Sequence, residues 1–174
     1  MYSLSRRRES VLILSSRRLI PFVVLPSGNT VLATGVFDLL HLGHLRFLEE
    51  SKRNGGPRSK LVVVVARDKT VFRRKGKGPI IPENQRRELV AALRVVDRAI
   101  LGREEIDLLG ILQEVKPNIV CVGYDQDEIR AAVSRLIRKR RLQIKVVRIR
   151  RFGPTGLNSS SKLKIRVARA LSVS

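Results

Sequence analysis

Residues 31–44 read VLATGVFDLLHLGH and decide the fold, because a strand pattern passes directly into a helix pattern. VLATGV is a short, β-branched apolar run of the kind that is buried on both faces of a parallel sheet, and LVVVVA at 61–66 is a second one. Between them leucines recur at helical spacing from Leu42 to Leu48, and NGGP at 54–57 ends the helix. The pattern predicts a strand–helix–strand unit with parallel strands.

Strand and helix patterns alternate to the end of the chain. Apolar residues at helical spacing predict helices from about 83 to 94, around 108–115 and 129–137, and after Ser159. Short apolar runs predict three more strands, which read RAILG, NIVCVG and IKVVRI. We therefore expect an α/β fold with a three-layer, Rossmann-like parallel sheet of about five strands. Ligands of such sheets bind beyond the carboxyl ends of the strands, so residues that directly follow strands are the candidates for a site.

Length and composition predict one domain, at residues 30–174. With 174 residues, 43% of them hydrophobic, the chain can fill one core without disulfides or a structural metal. Residues 1–29 are basic and lack a regular period, so we interpret them as an appendage. A tail, an extra element on the sheet and an upstream extension from a misplaced start codon remain open for this segment, and we favour the extension.

Cysteine usage and apolar run lengths indicate a cytoplasmic protein. Cys121 is the sole cysteine and lies in the apolar run NIVCVG, where a buried inert thiol is expected rather than a reactive one. No apolar run of the sequence approaches the length of a membrane span, and the runs VLIL and PFVVLP are separated by Arg17 and Arg18. We expect no disulfide and no membrane partner.

A formal net charge of +21, from 36 Lys and Arg against 15 Asp and Glu, calls for an anionic partner or ligand. Charge alone does not distinguish nucleic acid, a membrane surface and a phosphorylated small molecule. The basic stretch at 135–151 is interpreted as a solvated helix face and strand edge, with no catalytic part. Nonspecific nucleic-acid binding remains open for it.

Two histidines, His41 and His44, follow the first predicted strand and lie at the start of the first helix. A helix start offers unpaired N–H groups and a partial positive charge, and two imidazoles three residues apart add donors for adjacent phosphates. Gly43 lets a phosphate approach the backbone, and Asp38 is placed to cap or orient the turn. For a bare H-x-x-H, two surface histidines without a function are the alternative. We expect the two imidazoles to face one opening.

Basic and hydroxyl side chains follow two other predicted elements. RRKGKG at 73–78 is predicted as a flexible loop that closes over a triphosphate, with Lys75 as a candidate contact, and a solvated basic loop is the alternative. Arg86, in PENQR, is the candidate for a fixed phosphate contact. Ser159–Ser161 open the last predicted helix, where hydroxyl and free N–H groups suit a phosphate, and an ordinary helix cap is the alternative.

Longer stretches of the sequence resemble a known family. TGVFDLLHLGH is similar to the H-x-G-H signature of the cytidylyltransferase-like nucleotidyltransferases. VVVVARDKTVFRRKGKGPIIPENQRRELVAALRVVDRAILG resembles the matching part of archaeal-type FAD synthases, the FMN adenylyltransferases, in its VARD strand exit, KG loop and helix start. VGYDQ at 122–126 and SSSKL at 159–163 are similar to two further family signatures. The resemblance covers roughly residues 30–172.

The resemblance implies roles for the residues that match. His41 and His44 are the implied catalytic residues and contact the phosphates, whereas Asp125 lies beside the nucleoside. Val36 and Phe37 line the nucleotide through their backbone. The full set of implied ATP contacts is Val36, Phe37, His41, Leu42, Gly43, His44, Asp125 and Ser160. No protein ligand to a metal is implied.

The activity implied by the resemblance is transfer of AMP from ATP to FMN, which gives FAD and diphosphate. A divalent cation, expected to be magnesium, is the implied cofactor, and the resemblance is compatible with a homodimer. Two alternatives use the same scaffold, a glycerol-3-phosphate cytidylyltransferase and a sugar-phosphate adenylyltransferase. A third is a basic nucleic-acid-binding protein without activity. The H-x-G-H motif does not choose among the enzymes, but the KGKGPIIPENQRR stretch favours FMN.

Overall fold

A computed structural model describes residues 28–104, 107–152 and 158–172, which form five strands and six helices. In chain order these are β1 (Thr30–Gly35), α1 (Leu42–Asn54), β2 (Lys60–Val65), α2 (Asp68–Lys75), α3 (Glu83–Ala91), β3 (Arg98–Leu101), α4 (Leu108–Val115), β4 (Ile119–Val122), α5 (Asp127–Arg140), β5 (Lys145–Arg148) and α6 (Ser160–Leu171). Residues 1–27 of the appendage predicted at 1–29 lie outside the described residues, so the nature of this segment stays a prediction.

The five strands form one parallel sheet in the order β3-β2-β1-β4-β5. The chain builds outward from β1 through β2 to β3 and then returns across the sheet to place β4 on the other side of β1. The direction of strand addition therefore reverses between β1 and β4. Sheets of this kind bind ligands in the crevice at the carboxyl ends of two such strands.

Two apolar layers enclose the sheet. Side chains alternate along a strand, so Val31 and Ala33 of β1 lie in one layer with Leu48 of α1 and Val90 of α3. Leu32 lies in the other layer, together with residues of α4 and α5. Helices on both faces explain why β2 and β4 read as continuous apolar runs, since neither face meets solvent. The predicted three-layer, Rossmann-like parallel sheet is confirmed, and it has five strands.

The segment after β2 differs from its prediction as a flexible loop. Residues 73–75 form the last turn of α2, and the loop begins only at Gly76, which ends the helix with a φ of 66°. Glycine adopts this left-handed conformation without strain and is therefore a common helix terminator. Val71 is the buried residue of α2, so the helix has no apolar period that the sequence pattern would reveal.

The helix predicted from about 83 to 94 ends earlier, at Ala91. Two β-branched residues, Val95 and Val96, follow it, and such side chains lose rotamer freedom in a helix. Val96 instead packs in the same apolar layer as Val90. The chain therefore leaves the helix one turn early and enters β3.

The sequence predicts a buried, unreactive thiol at Cys121 and no membrane-spanning segment. Cys121 lies in β4 with no exposed surface, and burial raises the pKa of its thiol to about 11. The predicted burial is confirmed, and a thiol that is protonated at neutral pH is a poor nucleophile. Within the described ranges, no helix is both long enough and apolar enough to cross a membrane.

Candidate active site

His41 and His44 meet at the exit of β1. His41 is the N-cap residue of α1, and His44 lies in the first turn of that helix. Their rings stack with centroids 3.8 Å apart and planes inclined by 18°. The two imidazoles form one paired surface at the carboxyl end of the central strand, as the spacing in the sequence predicts.

The loop between β1 and α1 folds tightly beneath the histidines. Phe37 and Leu39 have positive φ values, 55° and 46°, which residues other than glycine rarely adopt. The Phe37 ring turns back into the core with 1% of its surface exposed and lies 5.3 Å from the ring of His44. A Cβ atom at Gly35 would lie 2.7 Å from the Phe37 ring, so glycine is required there. Backbone strain of this kind concentrates at functional sites, and here it builds the base on which His44 rests.

Burial keeps both imidazoles neutral in the free protein. It lowers the pKa of His41, and it lowers the pKa of His44 to about 3, to which the neighbouring His41 also contributes. A neutral imidazole has one N–H donor and one acceptor. A bound anion acts in the opposite direction, because a nearby negative charge favours the protonated ring. The pair therefore becomes a stronger donor when an anion binds.

Several polar atoms around the pair lack a hydrogen-bond partner. Among the described residues, the buried side-chain atoms without one are Thr34 Oγ1, His41 Nδ1, His44 Nδ1 and Thr70 Oγ1. Three of these four belong to the exit of β1 and the turn that follows. A buried polar atom left unpaired costs about 1–3 kcal/mol, so a cluster of such atoms indicates that a ligand or ordered water completes them. The orphaned atoms make this exit the candidate binding site.

The start of α6 lies against the start of α1. A Cβ atom on Gly43 would lie 3.0 Å from the ring of His41 and 3.2 Å from the carbonyl oxygen of Asn158. Ser159 is the N-cap residue of α6, but its side chain forms no capping hydrogen bond, so the serine cluster is not explained as an ordinary cap. The first amides of a helix have no partner within it, and they carry partial positive charge. Two helix N-termini thus meet beside the histidines and favour an anion.

Asp38, predicted to cap or orient the turn, does not cap α1 but joins three segments. Its carboxylate accepts hydrogen bonds from the amides of Ile80 and Ile81, each at 3.0 Å, and pairs with Lys164 Nζ at 2.8 Å. Its carbonyl oxygen accepts a hydrogen bond from Ser160 Oγ at 2.5 Å. Burial alone raises the pKa of Asp38, but Lys164 and the two amides outweigh burial, so the pKa is lowered and the carboxylate is ionised. Asp38 therefore joins the exit of β1 to the segment before α3 and to the first turns of α6.

Arg86 contradicts its predicted role as a phosphate contact. Its side chain has no exposed surface. Its guanidinium donates to the carbonyl oxygens of Val36, Ala66 and Ile81, the last two at 2.8 Å, and to the carboxylate of Asp68 at 2.5 Å. Arginine is almost never fully buried unless it is paired, so the sequence pattern gave no sign of this position. Arg86 supports the exits of β1 and β2 from within and does not reach a ligand.

The exit of β4 borders the crevice on the other side of β1. Asp125 is exposed there, and its Oδ1 would lie 3.1 Å from a Cβ atom on Gly123. Gln126 bridges the two strands, because its amide nitrogen donates to the carbonyl oxygen of Thr34 at 3.0 Å and its Oε1 accepts from the amide of Gly123 at 2.8 Å. The motif VGYDQ contains Gln126, but sequence reasoning assigned it no role. Gln126 thus ties the exits of β1 and β4 together where strand order reverses.

Two other predicted contacts lie toward the outside of the site. Leu42 is 54% exposed at the start of α1. Lys75 is exposed at the end of α2, and no hydrogen bond or ion pair of the described chain joins it to the histidines. Its neighbour Arg74 pairs with Glu128 of α5 at 2.9 Å, so α2 reaches across the carboxyl edge of the sheet. The contacts of Leu42 and Lys75 with a nucleotide stay predictions.

The described residues do not build a metal site of their own. No group of three or more His, Cys, Asp or Glu side chains among them is arranged to hold a metal ion. Asp38, the carboxylate that precedes the histidines, is already occupied by Lys164 and two backbone amides. The site therefore does not fit a resident cation held by protein ligands alone.

Comparison with known proteins agrees with this geometry. Residues 32–166 match the family model described as cytidylyltransferase-like. The FAD synthase of Thermoplasma volcanium is 49% identical over 137 residues, which cover 79% of this chain and 92% of that protein. The FAD synthase of Aciduliprofundum boonei is 44% identical over 79% of this chain and 89% of that protein. A crystal structure described as the lipopolysaccharide core biosynthesis protein from Thermoplasma volcanium has a TM-score of 0.66 at 49% identity and covers 73% of this chain and 100% of that chain. The chain therefore belongs to the cytidylyltransferase-like family.

Proposed function

We propose that this chain is an FAD synthase, which transfers AMP from ATP to FMN and releases diphosphate. It is a nucleotidyltransferase, and FAD synthases from several archaea are among its similar relatives. One structural observation supports the location of the reaction. The orphaned polar atoms of Thr34, His41 and His44 gather at the exit of β1, beside the N-termini of α1 and α6.

The reaction requires alignment and charge stabilisation more than acid–base chemistry. An oxygen of the FMN phosphate attacks the α-phosphorus of ATP and forms a new P–O bond. The bond between the α-phosphorus and the bridging oxygen breaks, and the electron pair leaves with diphosphate. The FMN phosphate is already an anion near neutral pH, so no strong base is needed. Negative charge develops on the α-phosphate and the leaving group, so N–H donors fixed at those oxygens lower the barrier.

We assign the phosphates of ATP to the paired imidazoles and to the first amides of α1 and α6. His41 and His44 donate N–H groups. Gly43 lets the start of α1 pack against the His41 ring and the Asn158 carbonyl oxygen, where a larger side chain would be crowded. Asp125, at the β4 exit, is the proposed neighbour of the nucleoside. The other proposed ATP contacts are Val36, Phe37, Leu42 and Ser160, with Lys75 as a contact from the outer loop.

We propose that ATP binds as its magnesium complex. Magnesium keeps several waters and binds readily to the phosphates of a substrate, so it needs few protein ligands. This agrees with the lack of a carboxylate or histidine cage in the described chain. We also propose that the enzyme acts in the cytoplasm, where ATP and FMN are both present, and a homodimer stays a prediction.

A substrate panel tests the proposal. The full chain is supplied with magnesium and with ATP or CTP, each combined with FMN, glycerol 3-phosphate or a hexose 1-phosphate, and the products are identified by mass spectrometry. FAD and diphosphate are expected from ATP with FMN alone. CDP-glycerol would replace the proposed activity by that of a cytidylyltransferase. A nucleotide sugar would replace it by a sugar-phosphate activity. If the folded protein forms no product from any pair, the proposal that it is a nucleotidyltransferase with these substrates is rejected.

A further inference from the structure

The positive charge of this protein is concentrated at its C-terminal end. Residues 129–174 contain 14 Lys and Arg and no Asp or Glu. The rest of the chain carries 22 Lys and Arg against 15 Asp and Glu. Two thirds of the net charge of +21 therefore comes from 46 residues. Of these cations, Lys164 pairs with Asp38 beside the histidines. Like charges held together repel one another and weaken the folded state unless an anion compensates them.

Most of these cations lie along one edge of the sheet. Helix α5 and the edge strand β5 pack together, with Val133 and Val146 in the same apolar layer. All ten cations of α5, β5 and the adjoining residues are exposed, and together we call them the α5–β5 surface. They are Arg130, Arg135, Arg138, Lys139, Arg140, Arg141, Lys145, Arg148, Arg150 and Arg151.

The α5–β5 surface lacks the carboxylates that neutralise cations elsewhere in the described chain. Of its ten cations, only Arg130 and Arg148 form ion pairs within the described residues, and both use Asp127, at 3.4 and 3.2 Å. On the opposite half of the sheet, several cations have carboxylates of their own, such as Lys52 with Asp97 at 2.8 Å and Arg98 with Glu114 at 3.4 Å. Cations without an ion pair also occur elsewhere, Arg58 and Arg94 among them, but in the described chain they are most concentrated on this surface.

A cavity of about 300 Å³ lies within this surface, between α5 and β5. Arg130, Ser134 and Arg148 line it with two guanidinium groups and a hydroxyl, and Ala131 and Val146 complete its lining. Guanidinium groups bind phosphate oxygens in a bidentate manner, and a hydroxyl adds a further donor. Arg130 and Arg148 already share Asp127, so the cavity borders the unpaired cations and is not itself one of their sites. From the eight unpaired cations we propose that the α5–β5 surface binds the phosphate backbone of a nucleic-acid duplex.

The side chains of the surface favour a duplex backbone over a membrane or a single strand. Membrane-surface helices insert large apolar residues beside their cations. The large apolar residues that are exposed in the described chain all lie outside 130–151. Single strands bind by stacking of their bases on aromatic rings. The exposed aromatic residue that borders the surface is Tyr124, and the guanidinium of Arg151 lies over its ring, 5.5 Å from the centroid. A duplex, in contrast, is bound largely through its phosphates by Arg and Lys side chains, which is the composition of this surface.

Salt-dependent binding of a random-sequence 24-base-pair DNA duplex tests this proposal. The full chain is compared with a variant that carries R135Q, R138Q, K139Q and R140Q, none of which belongs to the proposed active site. Each lost phosphate contact reduces the slope of log K against log salt by about 0.9. We expect the variant to bind at least about tenfold more weakly near 100 mM salt and its slope to fall by about three to four.

A matched control separates this surface from net charge. R53Q, R58Q, R94Q and R98Q remove the same charge from exposed positions on the opposite half of the sheet. We expect this control to keep the slope of the unaltered protein. An equal loss in both variants would overturn the proposal, as would tighter binding to vesicles of anionic lipid or to a single strand of the same length.

A charge-retaining variant and the enzymatic activity complete the test. R135K, R138K and R140K keep the positive charge, so duplex binding and its salt slope are expected to stay within about threefold and one unit of the unaltered protein. FAD formation by the glutamine variant is expected to be unchanged, which also verifies that it is folded. Retained duplex binding in a folded, active glutamine variant would refute the assignment of this surface.

Discussion

Replacement of Arg86 by methionine is expected to destabilise the protein strongly and to disturb the site from within. Arg86 has no exposed surface, and its guanidinium joins the exits of β1 and β2 to the segment before α3. Methionine fills a similar volume but donates no hydrogen bond, so the carbonyl oxygens of Val36, Ala66 and Ile81 lose their donor.

The expected magnitude follows from these bonds. Loss of each net hydrogen bond costs about 1 kcal/mol, and removal of one partner from a buried ion pair costs about 3–5 kcal/mol in total. Asp68 is partly exposed and can turn to water, so we expect the lower part of that range, about 3–4 kcal/mol. For a chain of this length the melting temperature then falls by about 10 °C. Arg86→Lys keeps the charge but fewer of the bonds, and its expected cost is about 2 kcal/mol.

Urea unfolding followed by circular dichroism measures the free energy of unfolding, and Arg87→Met is the matched control on the same helix. Arg87 pairs with Glu88 at 3.2 Å near the surface, so its replacement is expected to cost less than about 0.5 kcal/mol. FAD formation is measured at 25 °C, where the Arg86 variant remains folded, and a decrease of about tenfold is expected because the backbone next to the histidines loses an anchor. The assigned role of Arg86 would be wrong if Arg86→Met and Arg87→Met destabilised the protein equally. It would also be wrong if Arg86→Met cost less than about 1 kcal/mol.

Three further predictions concern single side chains. Asp38→Asn removes the charge that pairs with Lys164, so we expect FAD formation to fall about tenfold and limited trypsin digestion near Lys77 to accelerate, whereas unchanged kinetics and digestion would exclude the proposed anchor. Burial lowers the pKa of His44 to about 3, below its value near 6.5 in the unfolded chain; the unfolded state therefore binds more protons between these values, and stability is lost as pH falls from 7 to 5. After allowance for partial exposure, about 1 kcal/mol of this loss should disappear in His44→Asn, and an equal pH dependence in both proteins would contradict the burial. Burial raises the pKa of the Cys121 thiol to about 11, so iodoacetamide at pH 8 should label Cys121 only in denaturant, and rapid labelling of the native protein would show that β4 is accessible.

Local patterns predicted the sheet and the histidine pair because both follow from short-range rules. The β-branched runs at 61–65 and 119–122 are buried on both faces, which is the pattern of a central parallel strand. His41 and His44 lie three residues apart at the start of one helix, so their proximity needs no information from the rest of the chain.

Contacts between distant segments were not predictable in the same way. Asp38 meets Lys164 across more than 120 residues, and Gln126 meets Thr34 across 92. Arg86 on the polar-looking helix α3 is buried by three carbonyl groups that two strand exits and a loop bring together. None of these partners has a sequence period, since each depends on where the sheet places the ends of its strands.

FAD formation by His41→Ala and His44→Ala is the decisive test of the paired imidazoles. Initial rates are measured with saturating magnesium, ATP and FMN, and thermal unfolding verifies that each variant is folded. We predict FAD and diphosphate in equal amounts from the unaltered protein. We expect rates at least about 100-fold lower in both variants, because each loses a donor to the charge that develops on the phosphates. Rates within about threefold of the unaltered protein in either folded variant would contradict the assignment of the paired imidazoles at the exit of β1.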